Sequence, residues 1–222
     1  FWSTRDGGGI FSKAADGTGE VELLFSGDAQ QQPWGWSDDG DLVVTQTPGD
    51  IGVVALGDDA SIEMILDTEF VSDTPAVSPS GRWIVYQSNE SGETQIYVQP
   101  FPNVNDGKWQ ISTNRGFDPV WSPDERAIYF WGPPAPGRLM RAEVQIEPTF
   151  SPENETEFIG QFGARFNLFG VPRGYDIHPD GMRFLARTRD GADQGGDGAS
   201  FFNGLMVVEN WFEELMERVR VP

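Results

Sequence analysis

Trp34-Gly35-Trp36-Ser37-Asp38-Asp39-Gly40 returns three more times along the chain. The later copies are Pro75-Ala76-Val77-Ser78-Pro79-Ser80-Gly81, Pro119-Val120-Trp121-Ser122-Pro123-Asp124-Glu125 and Tyr175-Asp176-Ile177-His178-Pro179-Asp180-Gly181. The four segments align without gaps, and the third position is always large and apolar. Their fourth positions are 41, 44 and 56 residues apart. The first two spacings suit a four-stranded β-propeller blade, and the third requires an insertion. The segment itself reads as a tight turn between two strands, because Pro fixes φ and Gly accepts φ > 0.

The same grammar follows each copy. A β-branched or aromatic run comes next: Leu42-Val43-Val44, Trp83-Ile84-Val85-Tyr86, Ala127-Ile128-Tyr129-Phe130 and Phe184-Leu185-Ala186. Such runs are second strands. Third runs lie at 51–54, 95–98, 139–142 and 205–208, and fourth runs at 63–66, 109–112 and 156–159. Three opening runs, 1–4, 10–13 and 21–24, fit the second, third and fourth strands of a unit whose first strand is missing. One four-stranded sheet cannot bury both its faces alone, so each unit must stack on the next.

The expected fold is therefore all-β: a propeller domain or propeller fragment of four-stranded antiparallel blades, four to five of them visible, over residues 1–222. The units run approximately over 1–32 (incomplete), 33–73, 74–117, 118–173 and 174–222. Trp36, Val77, Trp121 and Ile177 are expected at equivalent buried sites between blades. After the last run, Trp211, Phe212, Leu215, Met216 and Val219 follow helical spacing, which predicts a short amphipathic C-terminal helix that caps the last blade.

Composition narrows the function. Fifteen Lys and Arg face 35 Asp and Glu, a formal charge of −20, which repels a phosphate backbone and argues against nucleic acid as a partner. No window approaches a membrane span, and no signal segment opens the chain. With no Cys and one His, disulfides and the usual transition-metal ligand sets are excluded, and no cofactor is expected. His178 takes the turn position held elsewhere by Ser37, Ser78 and Ser122, so it reads as a structural turn residue. The Gly-rich acidic loop 190–198 lacks the spacing of a calcium loop and reads as a hairpin tip. Asp118 and Asp176, on first strands near the expected channel mouth, are the candidate binding residues, against a reading as solvated acidic lining. Trp34, Trp83, Trp109, Trp131 and Phe101 read as packing between blades.

The Trp-Ser-Pro-Asp-Gly-type repeat, followed by the Ser-Asn-Glu-Ser-Gly to Ile-Tyr-Val run over 88–98, resembles the TolB-like, WD40-like (PD40) propeller repeats. Residues 95–102 and 108–112, with the ending Asn210-Trp211-Phe212-Glu213-Glu214-Leu215, resemble the C-terminal propeller of bacterial eukaryotic-type serine/threonine kinases. The resemblance implies an extracytoplasmic or periplasmic location and a sensor or protein-interaction role within a larger receptor-like protein. The implied partner is a protein or peptide, or a small ligand at the propeller channel. None of the kinase's phosphate-loop, His-Arg-Asp or Asp-Phe-Gly elements is present, nor is a Gly-x-Ser-x-Gly nucleophile elbow, so the chain is expected not to be an enzyme. A TolB-like scaffold and the propeller half of a serine peptidase or other hydrolase are the alternatives.

Overall fold

The computed structural model describes residues 2–3, 8–57, 59–133, 138–159, 173–188 and 204–208. The predicted C-terminal helix, the acidic loop 190–198 and Trp211 lie outside them. Among the described residues, eighteen strands form five sheets. The first sheet holds β1 (Trp2–Ser3), β2 (Gly9–Ser12) and β3 (Glu22–Phe25). The second holds β4 (Gln31–Trp36), β5 (Leu42–Gln46), β6 (Asp50–Ala55) and β7 (Ser61–Leu66). In the third, β8 (Ser72–Val77), β9 (Trp83–Ser88) and β10 (Gln95–Pro100) are joined by β11 (Trp109–Gln110). The fourth comprises β12 (Phe117–Trp121), β13 (Ala127–Gly132), β14 (Arg138–Gln145) and β15 (Ser151–Ile159), and the fifth β16 (Tyr175–Ile177), β17 (Phe184–Thr188) and β18 (Gly204–Val208). Within each sheet, neighbouring strands are consecutive in sequence, the up-and-down order of a propeller blade. One 3-10 turn, Val104–Asp106, is the sole helical element among the described residues. No helix among them is long and apolar enough to cross a membrane.

Two compact units divide the chain, residues 1–119 and 120–222. In the first, the alternation along β5 explains the stacking. Val43 packs with Ile51, Ile84, Tyr86 and Tyr97, toward the third sheet. Leu42 and Val44, pointing the other way, pack with Val54, Ile10 and Phe25, toward the first. The inner strands β5 and β6 are thus covered on both faces, and each such side chain contributes roughly 1.5–3 kcal/mol on burial. In the second unit the corresponding contact is aromatic. Tyr129 meets Phe158 and Phe184 edge-on, Trp131 meets Tyr175 at 5.4 Å between ring centroids, and the Tyr175 hydroxyl donates to the Tyr129 carbonyl at 2.9 Å.

The repeated segment closes the same turn four times. The N–H of Gly40, Gly81, Glu125 and Gly181 donates to the carbonyl of Ser37, Ser78, Ser122 and His178 respectively, at 2.8–3.1 Å. All four donors have positive φ, between 57° and 88°. Three are glycine, as that conformation favours; Glu125 adopts it with a side chain. The serine hydroxyl then accepts from an N–H one or two residues beyond the turn: Asp41 to Ser37 at 3.0 Å, Trp83 to Ser78 at 3.3 Å and Ala127 to Ser122 at 2.9 Å. His178 answers with its ring, accepting the Asp180 N–H on Nδ1 at 3.2 Å, and holds Arg183 beside it. It sits in the turn as a serine equivalent.

Burial at the third position varies. Trp121 is 5% exposed, and Val77 and Ile177 are half-buried, but Trp36 is 56% exposed, which corrects the expectation of four equivalent buried sites. A bulge between Pro33 and Gly35 interrupts β4 just before Trp36. The indole lines an open hollow of about 370 Å³ with Ile10, Phe11 and Leu24 of the three-stranded first sheet, which leaves it uncovered.

Candidate functional site

Among the described residues, the heads of two first strands carry left-handed residues directly before proline. In β8, Thr74 precedes Pro75 with φ of 52°; in β12, Asp118 precedes Pro119 with φ of 51°. Both stand four residues before the turn serine of their own repeat, so the irregularity is repeat-equivalent. A left-handed β-branched residue is rare, and the residue before proline normally stays extended. Each such position costs of order 1–3 kcal/mol and persists only where its surroundings enforce it. In β8 the consequence is a bulge between Asp73 and Ala76. Thr74 is 4% exposed, and its Oγ1 has no hydrogen-bond partner among the described residues.

Backbone ties put neighbouring groups beside these heads. The β5–β6 turn is tied to the segment leading into β4 by the Thr47 N–H, which donates to the Gln30 carbonyl at 3.1 Å. It reaches the next blade as well: the Ser72 N–H donates to the Gly49 carbonyl at 2.6 Å. One blade on, the Gly116 N–H donates to the Thr94 carbonyl at 3.0 Å, the same tie between a second hairpin and the following first strand. Gly49 is required by close approach, because a Cβ there would lie 2.5 Å from Val71 Cγ1 in a backbone with φ of 152°.

Between the second and third sheets these ties border an open polar hollow of about 110 Å³ lined by Gln30, Gln32, Thr45, Gln46, Gly49 and Asp73, among others. Asp73 is half-buried at its wall. Its carboxylate accepts the Thr74 N–H at 2.7 Å and the Thr45 hydroxyl. Thr45 is oriented for this from behind, since its Oγ1 takes the Trp34 indole N–H at 2.9 Å and leaves its own proton to give. Burial pushes the Asp73 carboxyl above the ordinary carboxylate range, and these two donors pull it back only in part.

The two carboxylates singled out from the sequence fall in different settings. Asp118 is 6% exposed at the head of β12, and its N–H donates to Gln87 Oε1 of β9 at 3.0 Å. Asp176 is exposed on β16, where its Oδ1 accepts the Ile177 N–H at 2.8 Å. They are not equivalent in the repeat, since Asp176 stands two residues before its turn residue and Asp118 four. The sequence reading missed Asp73, Thr74 and the glutamines. The signal was available: Thr74-Pro75 and Asp118-Pro119 occupy one repeat position, so attention to Asp118 extends to β8.

Among the described residues, no group of three or more His, Asp and Glu side chains is placed to hold a metal ion. No protein-family model matches the chain, and no curated protein matches it. Solved structures do. TolB from Acinetobacter baumannii matches with a TM-score of 0.57 at 16% identity, over 86% of this chain and 45% of that one. A protein from Bacteroides uniformis named as a "putative 6-phosphogluconolactonase" matches with a TM-score of 0.52 at 19% identity, over 82% of this chain and 58% of that one. The chain thus spans about half the length of each. The likeness supports a TolB-like propeller fold, consistent with the repeat; at such identity it shows the fold and nothing of function.

Proposed function

We propose that the chain is a non-catalytic propeller that binds an extended segment of a partner protein across the heads of its first strands. One observation carries this reading: β4, β8 and β12 in succession present polar side chains there, on backbone that is strained at Thr74 and Asp118 and tied blade to blade through Gly49 and Thr94. A fold gains nothing in stability from a buried hydroxyl without a partner or from left-handed residues before proline, so function is the natural reason for them. The non-catalytic part of the reading is supported by the chemistry at hand. The one histidine is engaged in a turn with Arg183 and Asp180, and the chain has no cysteine.

Location outside the cytoplasm, in a TolB-like scaffold or as the recognition part of a receptor-like protein, is the finer form of this proposal. It rests on the repeat's resemblance to TolB-like and kinase-linked propellers. The test is selection of peptides from a displayed random library against the full 222-residue chain, with binding mapped by hydrogen exchange. Protection is expected at 30–32, 45–49 and 72–74. Protection confined to the opposite turns, at 37–40 and 78–81, would overturn the reading, as would turnover of 6-phosphogluconolactone above the rate without protein.

A further inference from the structure

The hollow beside Asp73 has a chemistry more specific than its surroundings. It is small: at about 110 Å³ it holds the volume of three or four waters, well below the roughly 300 Å³ at which sites for drug-sized ligands begin. Only the end of one side chain fits. Its lining brings the side chains of Gln30, Gln32, Gln46 and Thr45 beside one carboxylate, with Gln46 Oε1 also accepting the Gln31 amide at 3.2 Å. No lysine or arginine lines it, and Asp73 makes no ion pair among the described residues.

Asp73 has two donors from its own chain, the Thr74 N–H and the Thr45 hydroxyl, whereas an ionised carboxylate offers about four acceptor positions. One group would meet both the unfilled positions and the missing countercharge: a compact cation with several N–H donors. The chain's net charge of −20 favours the approach of such a cation. A lysine ammonium fits better than a guanidinium, being a point charge with three rotatable donors instead of a planar fork.

We propose that this hollow is a subsite for the terminal ammonium of a lysine in the partner segment, with Asp73 as its counter-ion and the glutamine carbonyls and Thr45 as further acceptors. The proposal rests on the reading of the strand heads as a peptide-binding face. It names the residue type that anchors the peptide.

The test titrates the full chain with Nα-acetyl-lysine N-methylamide and with its Nε-acetylated counterpart, following the side-chain amides of Gln30, Gln32 and Gln46 and the Gly49 amide by NMR. Saturable shifts are expected with the free ammonium, and about tenfold weaker binding with the acetylated probe and with Asp73→Asn. A gain-of-affinity variant guards against a folding defect. Gln32→Glu places a second carboxylate at the wall and is expected to tighten the ammonium probe several-fold. Equal titration of both probes, or titrations unaffected by both substitutions, overturns the subsite. Displayed peptides that still protect 72–74 equally in wild type and Asp73→Asn would remove the lysine anchor and leave the peptide-binding face standing.

Discussion

At the scale of single residues, Thr74 and Asp73 both work against stability, by different means. Thr74→Gly removes a left-handed β-branched residue and a buried hydroxyl without a partner, against the entropy glycine loses on folding; the net expectation is stabilisation by about 1 kcal/mol. Urea denaturation checks this, and a midpoint below wild type would show that the surroundings favour the threonine. For Asp73 the sign follows from protons. Its folded pKa lies above the unfolded value, so the native state binds the proton more tightly and stability falls as pH rises from the unfolded pKa through the folded one. Asp73→Asn is therefore expected to raise the thermal midpoint at pH 7 and leave it nearly unchanged at pH 3, since an amide oxygen still accepts from Thr45 and Thr74. Calorimetry at the two pH values distinguishes this from a uniform gain.

At the scale of the element, the recurring turn is where sequence and structure coincide most closely. The Ser122 hydroxyl accepts the Ala127 N–H at 2.9 Å and donates to Asp124 Oδ1 at 2.7 Å. Burial raises the Asp124 carboxyl, but hydrogen bonds from Ser122 and the Arg126 N–H, with the Arg126 charge, outweigh it and hold it below its ordinary value. A depressed folded pKa stabilises above the unfolded value and loses that contribution as pH falls through the folded one. Ser122→Ala is expected to cost about 1–2 kcal/mol at pH 7 and less at pH 2, measured by urea denaturation at each pH. The strands around these turns were legible because the inner strands are buried on both faces and their runs are short and β-branched, as with Leu42-Val43-Val44. The bulges in β4 and β8 were not. Pro33 and Thr74-Pro75 are local departures that periodicity does not encode, and the exposure of Trp36 follows from what faces it, not from its own position in the repeat.

For the whole molecule, charge and connectivity matter most. A formal −20 on 222 residues repels itself within a Debye length, about 10 Å at 0.1 M salt, so sodium chloride raised from 20 mM to 0.5 M should increase the thermal midpoint. Each kcal/mol recovered corresponds to about 2–4 °C for a chain of this size. A midpoint falling with salt would mean that ion pairs such as Lys108 with Glu90, at 2.7 Å, outweigh the general repulsion. The candidate site was less legible than the fold because it is made by two blades at once. Gln32 and Asp73 are 41 residues apart, and only the tie from Ser72 to Gly49 shows that the carboxylate shares a hollow with the preceding hairpin. The up-and-down order of every sheet, finally, sets a tempo. Each strand pairs only with its neighbour in sequence, so a hairpin can close in about 1–10 μs without waiting for distant chain. Burying Val43 against Ile84 and Tyr97 instead joins residues more than forty positions apart, so the docking of formed blades on one another is expected to be the slower step of refolding.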